Sequence, residues 1–231
     1  RDLKSWEESQ RFSVDEGFEC PNLFRIFDAE EKESCWALIT ARGYCYLGDF
    51  DGYRFHWDKS RQELYCDSLQ YAAQVYEGTP GRNILIPWLR TLDEGKNYRG
   101  AAGLPRELTL GRLADGSRIV LQRPVGEYEA QKQPCKEGGE ATEVAISFKE
   151  SRDFSLEILL EQEKKADGDS GKKEPCKVGY DARQGELWVG TKCWQVGSGC
   201  KDFRIFTDDT LLEMQVEGGR SFGAAELPGR A

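Results

Sequence analysis

The alternation of apolar and polar positions along the chain predicts an all-β protein. Short runs rich in aromatic and β-branched residues are separated by turn-forming pairs such as Asp-Gly, Glu-Gly and Gly-Gly, which is typical of strands joined by tight turns. The runs predicted as strands in the first half are 24–27, 35–40, 44–47, 71–76, 83–89 and 108–110. Antiparallel strands in this sequence order form four-stranded units of the kind found in propeller blades.

A second region begins after residues 123–128, where the density of charge rises, and residues 131–133 are interpreted as a connector. Beyond the connector, half-buried strands are predicted at 143–148, 154–160, 187–190, 203–206 and 211–216. Segment 161–174 is dense in charge, Gly and Ser, which indicates a solvated or disordered loop. We therefore predict propeller blades over 1–125, a linker over 126–139 and a β-sandwich over 140–231.

Composition and charge narrow the classes of partner. The chain has 231 residues, enough to bury a core, and carries a net charge of −9. That acidic balance is the opposite of the Lys and Arg clusters that neutralise nucleic-acid phosphates, so no nucleic-acid partner is expected. No run of about eighteen apolar residues is present, so no membrane span is expected. The polar start is unlike a signal peptide, and localisation is left open between secreted and cytoplasmic.

Cysteine and histidine, the usual zinc ligands, are present, but their spacing in the sequence is not that of a metal site. The eight cysteines form no Cys-x-x-Cys pair, and the single histidine, His56, is expected in a polar loop. We therefore predict no zinc site and no cofactor. The even cysteine count permits disulfides, but free buried thiols are favoured in a chain that can build an apolar core.

The strongest candidate for chemistry is Glu19, which is followed by Cys20 and Pro21 and then by the apolar pair Leu23 and Phe24. A carboxylate at the mouth of an apolar core keeps its proton more readily than a solvated one, which is the property that a general acid needs. The alternative is a surface glutamate beside a buried cysteine, because Glu is common and mostly solvated.

Residues 19–24 resemble the Glu-Cys-Pro-Asp-Leu-Phe segment of glycoside hydrolase family 32, the family of invertases, inulinases, levanases and fructosyltransferases, with Asn22 in place of the usual Asp. Other segments that resemble the family follow its order and are found at 2–7, 47–55, 71–74, 100–108 and 203–214. Their joint order makes the resemblance specific. It covers nearly the whole chain, although 131–199 match only in general strand character.

The resemblance implies a five-bladed propeller followed by a β-sandwich, with only about the last two blades and the sandwich in this chain. It also implies a retaining mechanism with two carboxylates, in which Glu19 is the general acid/base. The family's nucleophilic aspartate lies near the propeller's N-terminus. Asp15 and Asp49 do not match its context, and 49–52 are predicted to form a hairpin turn. Without the nucleophile, this chain alone is not expected to cleave sugars. The first blades, from the same polypeptide or a second chain, are therefore an expected partner.

Four residues are candidates for substrate binding. Tyr71 lies in a segment that resembles the one facing the family's fructosyl pocket, and Trp88 resembles an aromatic of a Gly-Trp-Leu strand that could supply a flat wall for a sugar ring. Tyr98 stands where the family commonly has Trp, and Asp67 is displaced from the family's acidic position, which weakens its assignment as a sugar ligand. For Tyr71 and Trp88 the alternative is a buried core aromatic.

The predicted function is thus hydrolysis or transfer of a fructose-containing saccharide, sucrose or a fructan, by a β-fructofuranosidase-type glycoside hydrolase. Two alternatives stay open. One is a non-catalytic sugar-binding protein that retains part of the pocket without the nucleophile. The other is a partner subunit that completes another chain's propeller through an exposed strand edge.

Overall fold

The structure is a computed structural model that describes residues 4–14, 19–30, 32–58, 60–76, 78–92, 97–135, 142–160 and 175–228. Asp15 and the predicted loop 161–174 lie outside the described residues. Within these ranges the chain is built from strands arranged in four sheets, with one short α-helix and one 3-10 turn. The prediction of an all-β chain is confirmed.

The first sheet is an antiparallel meander near the N-terminus. It contains β1 (Asn22–Phe27), β2 (Ser34–Ile39), β3 (Tyr44–Phe50), β4 (Phe55–Trp57) and β5 (Gln62–Glu63). The strand order is β1-β2-β3-β4, and β5 pairs with the beginning of β3. Gln10 lies along the edge of β4, because its side-chain amide donates to the Phe55 carbonyl at 2.9 Å and accepts from the Phe55 N–H at 2.7 Å.

The second sheet follows directly. It contains β6 (Gln70–Val75), β7 (Asn83–Leu89), β8 (Ala101–Ala102), β9 (Arg106–Arg112) and β10 (Arg118–Pro124). The strand order is β10-β9-β7-β6, with β8 paired to β7. One hydrophobic cluster joins the first and second sheets, with Ile26 and Ile39 from the first and Leu85 and Val120 from the second, each 0% exposed. Burial of these alternate positions explains the period-two pattern of the sequence.

A six-residue helix, α1 (Gly126–Gln131), connects the two halves at the start of the segment predicted as a linker. The third sheet contains β11 (Glu143–Ser147), β16 (Asp202–Asp208), β17 (Leu211–Val216) and β18 (Ser221–Glu226), in that order. The fourth contains β12 (Phe154–Leu159), β13 (Pro175–Asp181), β14 (Glu186–Val189) and β15 (Lys192–Gln195), also in sequence order.

The third and fourth sheets share a second hydrophobic cluster. Its centre is formed by Tyr180 and Leu187 of the fourth sheet with Phe203 and Met214 of the third, all nearly or fully inaccessible. Trp194 is part of this cluster. Trp188 pairs across from Cys193 and is half-buried, so it does not belong to the buried cluster.

The two halves meet through backbone contacts and a buried polar network. The N–H of Cys66 donates to the Phe222 carbonyl at 2.9 Å, and the N–H of Phe222 donates to the Leu64 carbonyl at 3.0 Å. Arg106, which is 0% exposed, pairs with Glu213 of β17 at 2.5 Å. The second half is therefore attached to the second sheet by directional bonds as well as by apolar packing.

Two local predictions are corrected by the structure. His56 lies in β4 and not in a loop, because its neighbours Phe55 and Trp57 supply the inward-facing apolar positions of a strand. Asp49 belongs to β3, and the hairpin turn comprises residues 51–54. Asp51 sets that turn, since its Oδ1 accepts from the N–H groups of Tyr53 at 2.8 Å and Arg54 at 2.7 Å.

The cysteines lie in described ranges and are free thiols, four of them buried. Burial raises the pKa of the Cys35 and Cys45 thiols, which keeps them neutral within the first hydrophobic cluster. No group of three or more His, Cys, Asp and Glu side chains in the described ranges is placed to hold a metal ion. None of the helices in the described part of the chain is long and apolar enough to cross a membrane.

Candidate active site

Glu19 lies three residues before β1 and is exposed, in contrast to the apolar mouth expected from its neighbours in sequence. Its backbone is fixed even so, because the Glu19 carbonyl accepts a hydrogen bond of 3.1 Å from the N–H of Ala41 in the β2–β3 turn. This contact holds the residue at the rim of the first sheet, where its side chain projects outward. Cys20, next in the chain, has a φ of 49°, a conformation that costs energy in a residue other than glycine.

Asn22 anchors the segment that carries Glu19 to the second sheet. Its Nδ2 donates to the carbonyls of Cys20 at 3.1 Å and Ala73 at 2.9 Å, while its Oδ1 accepts from the Val75 N–H at 2.9 Å. A carboxylate at this position would offer no donor to the two carbonyls. The Asn that departs from the family motif is therefore matched to the backbone around it in this chain.

Strand β6 is irregular at the point where it approaches Glu19. Its pairing with β7 shifts register between Tyr71 and Gln74, and Ala72 has a φ of 44°. The Ala72 N–H donates to the Ala41 carbonyl at 2.8 Å. The backbone of Ala41 therefore contacts both the Glu19 segment and the Tyr71 segment, and this shared contact brings them together. Bulges of this kind redirect side chains and are common beside functional sites.

The two candidate side chains are in direct contact, since the Tyr71 hydroxyl donates a hydrogen bond to Glu19 Oε1. That bond, followed by partial desolvation and the negative charge of Glu19, raises the pKa of the Tyr71 phenol. Arg90 and Arg42 act in the opposite direction by charge. The guanidinium of Arg90 lies 4.3 Å from the centre of the Tyr71 ring and donates to the Ser68 carbonyl at 2.6 Å.

Trp88 lies directly opposite Tyr71 across the β6–β7 pair, so both side chains stand on the same face of the sheet. The indole is 44% exposed, which excludes the alternative of a buried core tryptophan. Gly100 packs on its edge with a φ of 77°, and a Cβ there would lie 1.9 Å from the indole nitrogen. Tyr98, two residues before Gly100, is also exposed. The structure thus provides an accessible aromatic surface beside Tyr71.

The carboxylate oxygens of Asp67 accept hydrogen bonds from the protein itself, whereas a sugar ligand needs oxygens that face the substrate. Its Oδ1 accepts from the N–H groups of Leu69 at 2.6 Å and Gln70 at 3.0 Å. Its Oδ2 accepts from the Gln70 side chain at 2.5 Å and from the Ala224 N–H at 2.8 Å. Burial raises the pKa of this carboxyl, and the hydrogen bonds from Gln70, Leu69 and Ala224 oppose that rise. Asp67 therefore stabilises the turn before β6 and its contact with β18, and we do not include it in the sugar site.

Three residues of the site were not predicted from the sequence, because no motif or spacing marked them as functional. Asn22 was noted only as a departure from the family motif, and Arg42 and Arg90 were not among the candidate site residues. Their importance follows from where the turn after β2 and the end of β7 place them, next to Tyr71.

The contact between Tyr71 and Glu19 predicts a change in the alkaline titration of the protein. Glu19→Gln removes the carboxylate that accepts a hydrogen bond from the phenol, so we expect the pKa of Tyr71 to fall toward the ordinary value of a tyrosine. Difference absorbance of phenolate, with Tyr71→Phe used to assign the signal, measures the shift. The variant Glu150→Gln, an exposed glutamate of the second half, is the control. An unchanged Tyr71 titration in Glu19→Gln would contradict the contact.

Comparisons with known proteins identify the family of the chain. The family model described as Glycosyl hydrolases family 32 N-terminal domain matches residues 1–124, more than half of the chain. A levanase of Bacillus subtilis (strain 168) is 26% identical over 82% of this chain and 33% of its own length.

Solved structures agree on the fold. An exo-inulinase of Aspergillus awamori superimposes with a TM-score of 0.71 at 16% identity, over 98% of this chain and 55% of the other. A β-fructofuranosidase of Bombyx mori gives a TM-score of 0.58 at 21% identity, over 92% of this chain and 50% of the other. The chain thus spans between one third and just over half of these relatives. Since the family model covers more than half of its residues, the chain belongs to glycoside hydrolase family 32.

Proposed function

We propose that this chain is the C-terminal part of a β-fructofuranosidase-type enzyme that cleaves sucrose or fructans with retention of configuration, and that Glu19 is its general acid/base. The observation that carries the proposal is the hydrogen bond from Tyr71 to Glu19 beside the exposed face of Trp88, in a member of family 32. Relatives with known structures support the choice of ligand, since a β-fructofuranosidase of Schwanniomyces occidentalis is described in complex with fructosyl-erythritol.

In this proposal Glu19 gives its proton to the oxygen of the leaving sugar and then accepts a proton from the incoming water or sugar hydroxyl. Tyr71 orients the carboxylate through its hydroxyl, and Arg90 holds the Tyr71 ring from above. Trp88 offers a flat apolar face for a sugar ring, and Tyr98 extends the aromatic surface along the next segment.

A retaining mechanism needs a second carboxylate about 5–5.5 Å from the first. We propose that this nucleophilic aspartate is supplied by N-terminal propeller blades, from the same polypeptide or from a second chain. The exposure of Glu19 is consistent with that arrangement, because a second wall is needed to exclude water from its carboxyl during the reaction.

The proposal extends to the finer architecture. We interpret the first and second sheets as the last two blades of a five-bladed propeller over 1–125, followed by the linker 126–139 and a β-sandwich over 140–231. The meander β1-β2-β3-β4 within the first sheet and the hydrophobic cluster shared by the first two sheets support the blades. The cluster shared by the third and fourth sheets supports the sandwich.

The test compares this chain with the polypeptide that also contains the N-terminal blades, using sucrose, inulin and levan as substrates. We expect the longer polypeptide to release fructose whose first-formed anomer is β, as read by NMR, and the 231-residue chain alone to release none. Binding of fructose by the longer polypeptide without release would overturn the proposal and favour the sugar-binding alternative. An α first product would overturn retention.

A further inference from the structure

A cleft of about 330 Å³ lies at the junction of the two halves. We call it the junction cleft. Its walls are the β5 segment, the hairpin between β9 and β10, the end of β15, and the turn between β17 and β18. Glu19, Tyr71 and Trp88 do not line it. It is therefore separate from the proposed sugar site.

The junction cleft contains two arginines whose charges are not paired. Arg118 at the start of β10 and Arg220 just before β18 both line it, and neither forms an ion pair with any residue in the described ranges. The third arginine of the lining, Arg61, is paired with Glu63 at 2.8 Å and stacks on the Tyr44 ring at 4.2 Å.

Glu217, the second glutamate that lines the cleft, also has hydrogen-bond partners. Glu217 Oε1 accepts from the backbone N–H groups of Lys201 and, at 3.2 Å, Asp202. Both carboxylates that line the junction cleft thus have partners of their own. Three arginines and two glutamates line the cleft, so positive side chains outnumber negative ones there, which is a local excess of positive charge in a protein with a net charge of −9.

The backbone at both arginines is held by one side chain, that of Gln62. Its Nε2 donates to the Val120 carbonyl at 2.7 Å and to the Arg220 carbonyl at 3.1 Å, and its Oε1 accepts from the Val120 N–H at 2.7 Å. Val120 is fully buried and lies two residues after Arg118 in the same strand. Gln62 thus connects the strand that carries Arg118 to the backbone of Arg220, and the two arginines line the cleft from different halves of the chain.

We propose that the junction cleft binds a small oxyanion, a phosphate- or carboxylate-bearing metabolite, between Arg118 and Arg220. Guanidinium groups match the planar geometry of such anions with paired N–H donors. The volume is near the lower end of the range for small-molecule sites, so it suits a metabolite and not a polymer. Because the arginines come from both halves, binding also stabilises their junction.

Isothermal titration calorimetry of the 231-residue chain tests the site, with inorganic phosphate and citrate as probes and sodium chloride at matched ionic strength as reference. We expect Arg118→Gln and Arg220→Gln each to weaken binding about tenfold. The matched control is Arg123→Gln, which removes the same charge from an exposed arginine of the same strand that does not line the cleft. It is expected to leave affinity within about twofold.

The two probes distinguish the sources of the anion. Tighter binding of phosphate indicates a phosphorylated metabolite, and tighter binding of citrate indicates a polycarboxylate. The proposal is overturned if neither probe gives heat beyond the chloride reference. It is equally overturned if Arg123→Gln weakens binding as much as the two cleft variants, since the effect would then come from net charge. Neither result depends on fructose release. The anion site can therefore be disproved while the proposed hydrolase function stands, and the hydrolase function can be disproved while the anion site stands.

Discussion

Replacing Glu19 with Gln, in the polypeptide that includes the N-terminal blades, is expected to lower kcat for sucrose by about 100- to 10,000-fold. The amide keeps the size of the side chain and can still contact the Tyr71 hydroxyl, but it cannot give a proton to the leaving oxygen or take one from water. KM is expected to change little, because the aromatic surface of Trp88 and Tyr98 is untouched.

Comparing two substrates shows whether Glu19 acts as an acid or only supports the structure. A fructoside with a nitrophenyl leaving group needs little protonation, so the loss in its cleavage step should be much smaller than the loss with sucrose. Circular dichroism and Glu150→Gln, at an exposed glutamate of the second half, are the controls for folding and for charge. Equal losses for both substrates, or a variant as active as the wild type, would show that Glu19 is not the proton donor.

Replacing Arg106 with Met is expected to lower the free energy of unfolding by about 3–5 kcal/mol. Arg106 is fully buried, and its Nη2 donates to Glu213 Oε2 and to Gln70 Oε1, each at 2.5 Å. Its guanidinium also lies 3.7 Å from the centre of the Phe222 ring. Removing the cation leaves the Glu213 carboxylate, which is 8% exposed, without its counter-charge.

Urea unfolding of wild type and Arg106→Met measures this effect, with Arg112→Met as the matched control. Arg112 also pairs with a glutamate, Glu33, but its side chain is 52% exposed, so its loss should cost about 0–1 kcal/mol. The double variant Arg106→Met/Glu213→Gln removes the unpaired charge and should regain part of the stability. If Arg106→Met cost no more than Arg112→Met, the buried pair would not be a main element of the junction.

Arg106 also links the junction to the proposed sugar site. Gln70, which accepts from Arg106, immediately precedes Tyr71, and its side chain also donates to the Phe222 carbonyl of β18 at 3.1 Å. The Leu104 N–H donates to Glu213 Oε1 at 2.6 Å, in the segment that follows Gly100 and the Trp88 contact. The second half of the chain thus contacts strand β6, which carries Tyr71, and the segment after Gly100, which packs on Trp88.

Much of the fold was predictable because the strand pattern is local. The strands at Phe24, Cys35, Tyr71, Asn83, Phe203 and Leu211 were predicted from their apolar runs and are present. The strands that were not predicted are β4, β5, β8, β10, β13, β15 and β18. For β13 and β18 the reason is that Pro175, Gly179 and the small residues of Ser221–Glu226 weaken the β signal. The helix α1 was missed because six residues contain too few turns for a helical period.

The sequence alone was sufficient to establish the all-β class and membership of family 32, because both depend on short segments whose residues are adjacent in the chain. Only the tertiary structure decided which side chains meet. Tyr71 contacts Glu19 across a separation of 52 residues because Ala41 and Asn22 hold the two segments together. Asp67 and Arg106 lie at the junction, where they form hydrogen bonds with Ala224 and Glu213 of the second half. Such contacts depend on how sheets pack and where a strand bulges, and no local pattern of residues encodes that geometry.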